Sequence, residues 1–215
     1  MIDEKLLAEA LQAIVDGDAE AAVEIAKKGL AAGAEPNELI DKGFVPGILE
    51  VGELFEDGEL FLPELMLAAD TMKEAVTVLN EALATAGGEK RTAGKFLIAT
   101  VESDIHDIGK GIVASLLVAN GFEVIDLGRD VATSVIIEKA LEYDVDIIGT
   151  SSLLTTTMVQ QQYLEDKLTA EGLKGRFKTI VGGAPVTIRW ANRIGADAFA
   201  ENAADGVTKA LELLP

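Results

Sequence analysis

A chain of 215 residues with 49 % hydrophobic side chains is long enough to bury one or two large cores. It holds no cysteine, which excludes disulfides and thiolate metal sites in any compartment. A formal net charge of −19 argues against nucleic acid as a partner, because phosphate binding needs clustered Lys and Arg.

The charge is uneven. Residues 1–86 hold 19 acidic and 5 basic side chains, a net of −14, and residues 87–215 hold 18 and 13, a net of −5. Such a face either solubilises the chain or steers basic partner proteins toward it. No basic segment followed by an apolar one opens the chain, and no apolar run reaches spanning length. The expectation is a cytoplasmic protein with no membrane partner.

Leu6, Leu7, Ala10, Leu11 and Ile14 recur at helical spacing until Asp16-Gly17-Asp18 breaks the pattern. Asp18 caps a second helix carrying Ala22, Val23, Ala26 and Leu30, ended between Gly29 and Gly33. A third helix starts near Pro36 and runs through Leu39, Phe44, Ile48, Val51 and Phe55, with a kink expected at Pro46. After Asp57-Gly58 a fourth places Leu62, Leu65, Ala69, Met72, Val76, Leu79 and Leu83 on one stripe. Four helices with short connections make an antiparallel bundle over residues 1–86.

Residues 87–94 are polar and glycine-rich, and read as a linker. From 95 to 215 short apolar runs alternate with helices. Strands are expected at Phe96–Val101, Phe122–Leu127, Ile147–Thr150, Thr179–Val181 and Ala198–Phe199, with helices near 109–119, 134–142, 158–171, 186–194 and 203–213. Regular alternation with strands too apolar for a wet face implies a five-stranded parallel sheet of flavodoxin or Rossmann type, covered on both sides. Its ligand belongs at the carboxyl ends of the strands.

Three loops meet at that edge. The first, Asp104-Ile105-His106-Asp107-Ile108-Gly109, contains the single histidine of the chain. The second, Thr150-Ser151-Ser152-Leu153-Leu154-Thr155-Thr156-Thr157, gathers hydroxyls that can donate to or accept from a polar, elongated ligand. The third, Gly182-Gly183-Ala184, lets a ligand approach bare backbone. Each has a plainer reading: a lone histidine is often only a packed or surface residue, Asp107 can be a helix cap, a Gly pair a tight turn, and Ser/Thr clusters cap helices. Asp104 favours the sharper one, since a carboxylate accepting one ring N–H fixes the tautomer of a metal-ligating imidazole.

Asp104-x-His106-x-x-Gly109, then Ser151-x-Leu153 and Gly182-Gly183, resembles the signature of the cobalamin-binding domain of methionine synthase, B12-dependent mutases and methanogen or acetogen corrinoid proteins. Leu54-Phe55-Glu56-Asp57-Gly58-Glu59-Leu60-Phe61-Leu62-Pro63 is similar to the segment that caps the upper face of the corrin in methyl-transferring members. The resemblance covers essentially the whole chain.

What it implies is specific. The cofactor is cobalamin or a related corrinoid, as methylcobalamin, Co(I) or hydroxo forms. His106 coordinates cobalt from below and displaces the cofactor's own base, and Asp104 tunes the imidazole. Asp107, Ile108 and Gly109 lie against the corrin and its nucleotide arm. Ser151, Leu153 and Thr155 meet the buried arm, and Gly182 and Gly183 line its channel. Thr157 falls where a hydroxyl extends the Asp–His pair, and Phe55 and Leu62 cover the methyl group.

The function implied is a methyl carrier, cycling between Co(I) and methyl-Co(III), with no catalysis of its own. Partners would be a substrate-specific corrinoid methyltransferase, a second methyltransferase delivering to tetrahydrofolate or coenzyme M, and a reductive activase. The donor stays open among methanol, methylamines, betaines and methoxyaromatics, because donor specificity resides in the partner. A cobalamin-dependent sensor and the small subunit of a B12-dependent mutase are the alternatives.

Overall fold

A computed structural model of the protein describes residues 2–85 and 92–214. It divides into two compact units, one running to Thr92 together with Val118–Gly121, the other made of Ala93–Leu117 and the chain from Phe122 onward. The expected linker at 87–94 falls mostly outside the described residues. Its last member, Gly94, is the first residue of a strand, where it pairs with Phe122.

The first unit contains α1 (Glu4–Val15), α2 (Ala19–Ala31), a short α3 (Pro36–Leu39), α4 (Val45–Glu56) and α5 (Leu62–Thr85). Asp3 Oδ1 accepts from the Lys5 N–H at 3.0 Å and Asp18 Oδ1 from that of Ala21 at 2.9 Å, so two carboxylates satisfy amides that the first turns leave free. Helix α2 ends at Ala31, between Gly29 and Gly33 as expected, and Gly29 is buried inside its last turn, where a Cβ would stand 2.6 Å from Leu39 Cδ2. The glycine is a notch that lets the helices approach.

The third expected helix is real but interrupted. Between α3 and α4 the chain makes a π-helical turn, Ile40–Phe44, with the Val45 N–H donating to Ile40 O. Pro46 has no N–H to give to a carbonyl four residues back and its ring would crowd that carbonyl, so a widened turn just before it absorbs the misfit. Ile14, Ala26, Leu39, Phe44, Ile48, Leu65, Met72 and Leu79 are buried in this unit. In α5 the stripe runs as read, with Val76 half-buried and Ala75 taking the fully buried place beside it.

The second unit is a five-stranded parallel sheet in the order β2-β1-β3-β4-β5, the flavodoxin order. Its strands are β1 (Gly94–Thr100), β2 (Phe122–Asp126), β3 (Ile147–Ser151), β4 (Lys178–Gly182) and β5 (Ala198–Ala200). Its helices are α6 (Ile108–Ala119), α7 (Thr133–Glu142), α8 (Val159–Ala170), α9 (Ile188–Ile194) and α10 (Ala203–Leu213). Helix α9 starts two residues later than read because Thr187 caps it, its Oγ1 accepting from the Trp190 N–H at 3.3 Å.

Strand residues alternate faces. Leu97, Ala99 and Ile148 pack with Ile136, Ile137, Leu164, Leu168 and Phe177 into one core. The neighbouring register row, Ile98–Gly149–Ile180, faces the other way, and there the Phe96 ring lies over Gly149. A Cβ at Gly149 would stand 2.4 Å from the ring, and the ring is held edge-on by Phe122 at 6.1 Å between centroids. Gly149→Ala is therefore expected to lower stability by about 1–3 kcal/mol through overpacking, read as a shifted urea midpoint. An unshifted midpoint would mean that Phe96 does not fill that space.

Candidate functional site

The site is built where β1 ends. The loop after it turns through Ser103, which holds a left-handed φ of 67°, an uncommon backbone for a residue with a side chain. It is pinned there by contacts from several segments. The Ser103 N–H donates to Asp130 Oδ1 at 2.7 Å, the Asp130 N–H to Asp104 O at 2.9 Å, and the Val101 N–H to Ser151 O at 3.1 Å. Thr100 Oγ1 donates to His106 O at 3.1 Å. The histidine backbone is thus fixed before its ring is considered.

Asp104 is fully buried, and both its oxygens are used. Oδ1 accepts from the His106 N–H at 3.1 Å and bonds His106 Nδ1 at 2.8 Å. Oδ2 accepts from Thr157 Oγ1 at 2.7 Å and from the Leu153 N–H at 2.8 Å. Burial alone pushes this carboxyl up, but the bonds from Thr157, His106 and Leu153 outweigh it and hold Asp104 well below the usual carboxylate range. An ionised Asp104 keeps the proton of the neutral imidazole on Nδ1 and leaves Nε2 as the free lone pair. The His106 side chain is 46 % exposed, open to a ligand on that side.

Thr157 comes from the second loop and is itself buried. Its Oγ1 lies 2.8 Å from Ser152 Oγ, another buried hydroxyl. Since Thr157 has one hydroxyl proton and gives it to Asp104, Ser152 supplies the proton between the two hydroxyls. Ser152 also ties the third loop: its N–H donates to Gly182 O at 3.1 Å, and its carbonyl lies against Gly183. Gly183 has φ 123°, and a Cβ there would sit 1.9 Å from Ser152 O, so no other residue fits.

A cleft of about 1030 Å³ opens beside His106. It runs over one face of the sheet between α6 and α10. The row Ser151–Gly182–Ala200 lies along its rim, with Ile98, Gly149 and Ile180 below, and Gly109, Ile112, Val113 and Gly206 line its helical walls. Glycine side chains are missing on three sides, leaving bare backbone that a Cβ would cover. Around His106, Ile105 and Ile108 are 63 % and 75 % exposed and Leu153 is 42 % exposed, an apolar collar on an otherwise acidic protein.

Of the residues singled out in the sequence, His106, Asp107, Ile108, Gly109, Ser151, Leu153, Gly182 and Gly183 line this one cleft. Asp104 and Thr157 stand behind His106 and do not line it. Thr155 is exposed and outside it. Phe55 and Leu62 belong to the other unit, at the end of α4 and the start of α5, each half-buried.

Three supporting residues were not read from the sequence. Ser152 is one. Gln161, fully buried in α8, donates through Nε2 to Thr150 O and Gly182 O, both at 3.1 Å, and accepts from Trp190 Nε1 at 3.1 Å, clamping the ends of β3 and β4. Lys110 is buried in the first turn of α6 and paired to Asp126 at the end of β2. Its neighbours in the motif carried the signal, but a lysine after a glycine reads as a surface charge until its partner is known.

A family described as a B12 binding domain matches residues 94–210, and a second of the same description matches residues 6–80. The chain belongs to the B12-binding corrinoid proteins. Trimethylamine corrinoid protein 1 of Methanosarcina mazei is 48 % identical over 206 residues, covering 96 % of this chain and 95 % of that one. Dimethylamine corrinoid protein 2 of Methanosarcina acetivorans is 49 % identical over 214 residues, covering 98 % and 97 %. Among solved structures, the methanol:cobalamin methyltransferase complex MtaBC of Methanosarcina barkeri contains a chain 30 % identical with a TM-score of 0.84, covering 99 % of this chain and 86 % of that one. A cobalamin-binding protein of Desulfitobacterium hafniense is 39 % identical with a TM-score of 0.73 over the whole of both chains.

Within this corrinoid protein the Thr157 hydroxyl is the testable link. Thr157→Val removes a donor from a buried carboxylate and is expected to destabilise the apoprotein by about 1–3 kcal/mol, whereas Thr157→Ser keeps most of the stability. Urea unfolding of the two variants checks it; an unshifted midpoint in Thr157→Val would show that the hydroxyl bond to Asp104 does not stabilise the fold.

Proposed function

We propose that this corrinoid protein carries a methyl group between two methyltransferases, with a cobalamin or related corrinoid seated on the second unit. The observation that carries the reading is the His106 imidazole, held through Nδ1 by a buried, fully bonded Asp104 at the mouth of a cleft on the carboxyl edge of the sheet. One imidazole is a single ligand, so a metal bound there takes most of its coordination from a macrocycle. The bare backbone at Gly109, Gly182 and Gly206 fits an elongated arm of such a cofactor.

When bound, the corrinoid supplies a cobalt centre that accepts and gives up a methyl group. The protein supplies the rest. His106 Nε2 would hold the cobalt, and Asp104 keeps the proton on Nδ1 so that the ring presents the right nitrogen. The four bonds to Asp104 hold the ring in place whether or not Nε2 is engaged. Ile105, Ile108 and Leu153 would exclude water beneath the corrin, Asp107 and Gly109 would border it, and Ser151, Gly182 and Gly183 would line the channel of the arm. Phe55 and Leu62, and Thr155, are assigned to the cofactor through the family pattern alone.

A substrate-specific corrinoid methyltransferase would load the methyl group, a second would pass it to tetrahydrofolate or coenzyme M, and a reductive activase would restore the carrier. The names of the relatives at 48 % and 49 % identity favour methylated amines as the donor class over methanol. A sensor or a mutase subunit is disfavoured by the same relatives, which match essentially the whole chain.

The test loads the full chain with hydroxocobalamin, reduces it, and adds methyltransferases for methylated amines or for methanol while following corrinoid absorbance. Methylation with an amine enzyme is the expected result; no corrinoid retained, or no methylation by any partner, overturns the reading. His106→Ala is expected to lose the imidazole-ligated spectrum, and identical spectra of the variant and the wild type would remove His106 as the ligand.

A further inference from the structure

Gly206 is a buried helical glycine of the cleft that the protein does not require for its own packing. It is buried in α10, on the wall of the cleft away from His106, in a helix that is otherwise well made. Asn202 Oδ1 accepts from the Asp205 N–H at 2.8 Å, Asp205 Oδ2 accepts from the Glu201 N–H at 3.0 Å, and the Gly206 N–H donates to Asn202 O at 3.0 Å. Within a helix, glycine is the least favourable residue after proline, because the unfolded chain regains so much freedom there.

The usual reasons for a glycine do not apply at this position. Its backbone is helical, and it is not at the end of the helix. A Cβ would meet nothing nearer than Ala200 Cβ at 3.5 Å and Val113 Cγ1 at 3.6 Å, ordinary van der Waals contacts. Gly183 and Gly149 differ sharply, since a Cβ would strike backbone at 1.9 Å in one and the Phe96 ring at 2.4 Å in the other. Alanine therefore fits at 206 as far as the protein is concerned, and would make a better helix. What the missing side chain leaves open is the cleft.

Gly206 does not stand alone. Ala200 lies between it and Gly182, which also has a backbone that permits a side chain, the nearest atom to its Cβ position being Ala200 O at 3.4 Å. Gly182, Ala200 and Gly206 thus leave one strip of the cleft wall with no side chain larger than a methyl, between the larger side chains of Ile180, Phe199 and Asn202 that also line it. Val113, on α6, faces Gly206 from the opposite wall.

We propose that Gly206 is a specificity-determining residue: with Ala200 and Gly182 it keeps the inner cleft wide enough for the base at the end of the corrinoid's nucleotide arm, and so sets the size of base that the protein accepts. This rests on the corrinoid reading and adds to it a residue that has no part in holding cobalt. Stability and binding then pull in opposite directions at one position. A side chain at 206 improves the helix and blocks the arm.

The experiment compares the full-length wild type with Gly206→Ala and Gly206→Leu. Thermal unfolding is measured on the apoproteins, and affinity is measured for hydroxocobalamin and for cobinamide, the same corrin without its nucleotide. Gly206→Ala is expected to raise the apoprotein Tm by about 2–4 °C. It is expected to weaken cobalamin binding about tenfold, as one added methyl does in a filled pocket, with a larger loss in Gly206→Leu. Cobinamide affinity is expected to stay unchanged in the alanine variant. Unchanged cobalamin affinity in Gly206→Ala, equal losses for cobalamin and cobinamide, or a lower apoprotein Tm in the alanine variant each overturn the proposal. A wild-type protein that binds neither compound fails at the corrinoid reading itself, a different result.

Discussion

Asp104 holds a negative charge in a place that water does not reach, and it can do so only because four hydrogen-bond donors are aimed at its two oxygens. Two of those donors belong to His106 and two to the loop after β3. The carboxylate therefore joins segments about 50 residues apart in the chain, and removing any one donor leaves part of a buried charge uncompensated. Much of the local structure serves this requirement. Ser103 accepts a left-handed backbone so that the chain can turn toward Asp104, and Ser152 orients Thr157. Gly183 gives up any side chain so that the third loop can close on Ser152.

The consequence is a histidine whose position does not depend on its ligand. Backbone bonds fix His106 from Thr100 and Asp104, and the ring is fixed from behind, so an incoming metal meets a nitrogen already oriented. Around this rigid point the surface is apolar and the cleft is lined with glycine and alanine. The glycines fall into two kinds. Gly149 and Gly183 are demanded by neighbouring atoms of the protein, whereas Gly109 and Gly206 have room for a side chain and face the cleft. Only the second kind needs something outside the chain to account for it.

Much of this was legible in the sequence, for physical reasons. The alternation of strand and helix, and the stripe on α5, are periodic signals that survive without tertiary information, and they placed the strands within a residue or two. His106 and Asp104 were readable because they are two residues apart, and Thr157 because the family pattern puts a hydroxyl there. Pro46 was read as a kink, yet nothing local showed that a π-turn would absorb it. Gln161, Lys110 and Ser152 were invisible because their roles are set by partners 11 to 29 residues away for the first two, and by a choice between two adjacent serines for the third. Gly206 was hidden for another reason: a glycine in a helix carries meaning only once the space around it has been measured.

The Nε2 nitrogen of His106 can be observed directly because of the composition of the chain. Because His106 is the only histidine, growth on ¹⁵N-histidine labels a single imidazole in the whole protein. Electron paramagnetic resonance of the hydroxocobalamin-loaded protein after one-electron reduction resolves the splitting from the axial nitrogen. If His106 ligates the cobalt, each three-line nitrogen pattern becomes a two-line pattern on labelling. A three-line pattern that persists in the labelled protein would show that the axial nitrogen comes from the cofactor's own base, and would contradict the account.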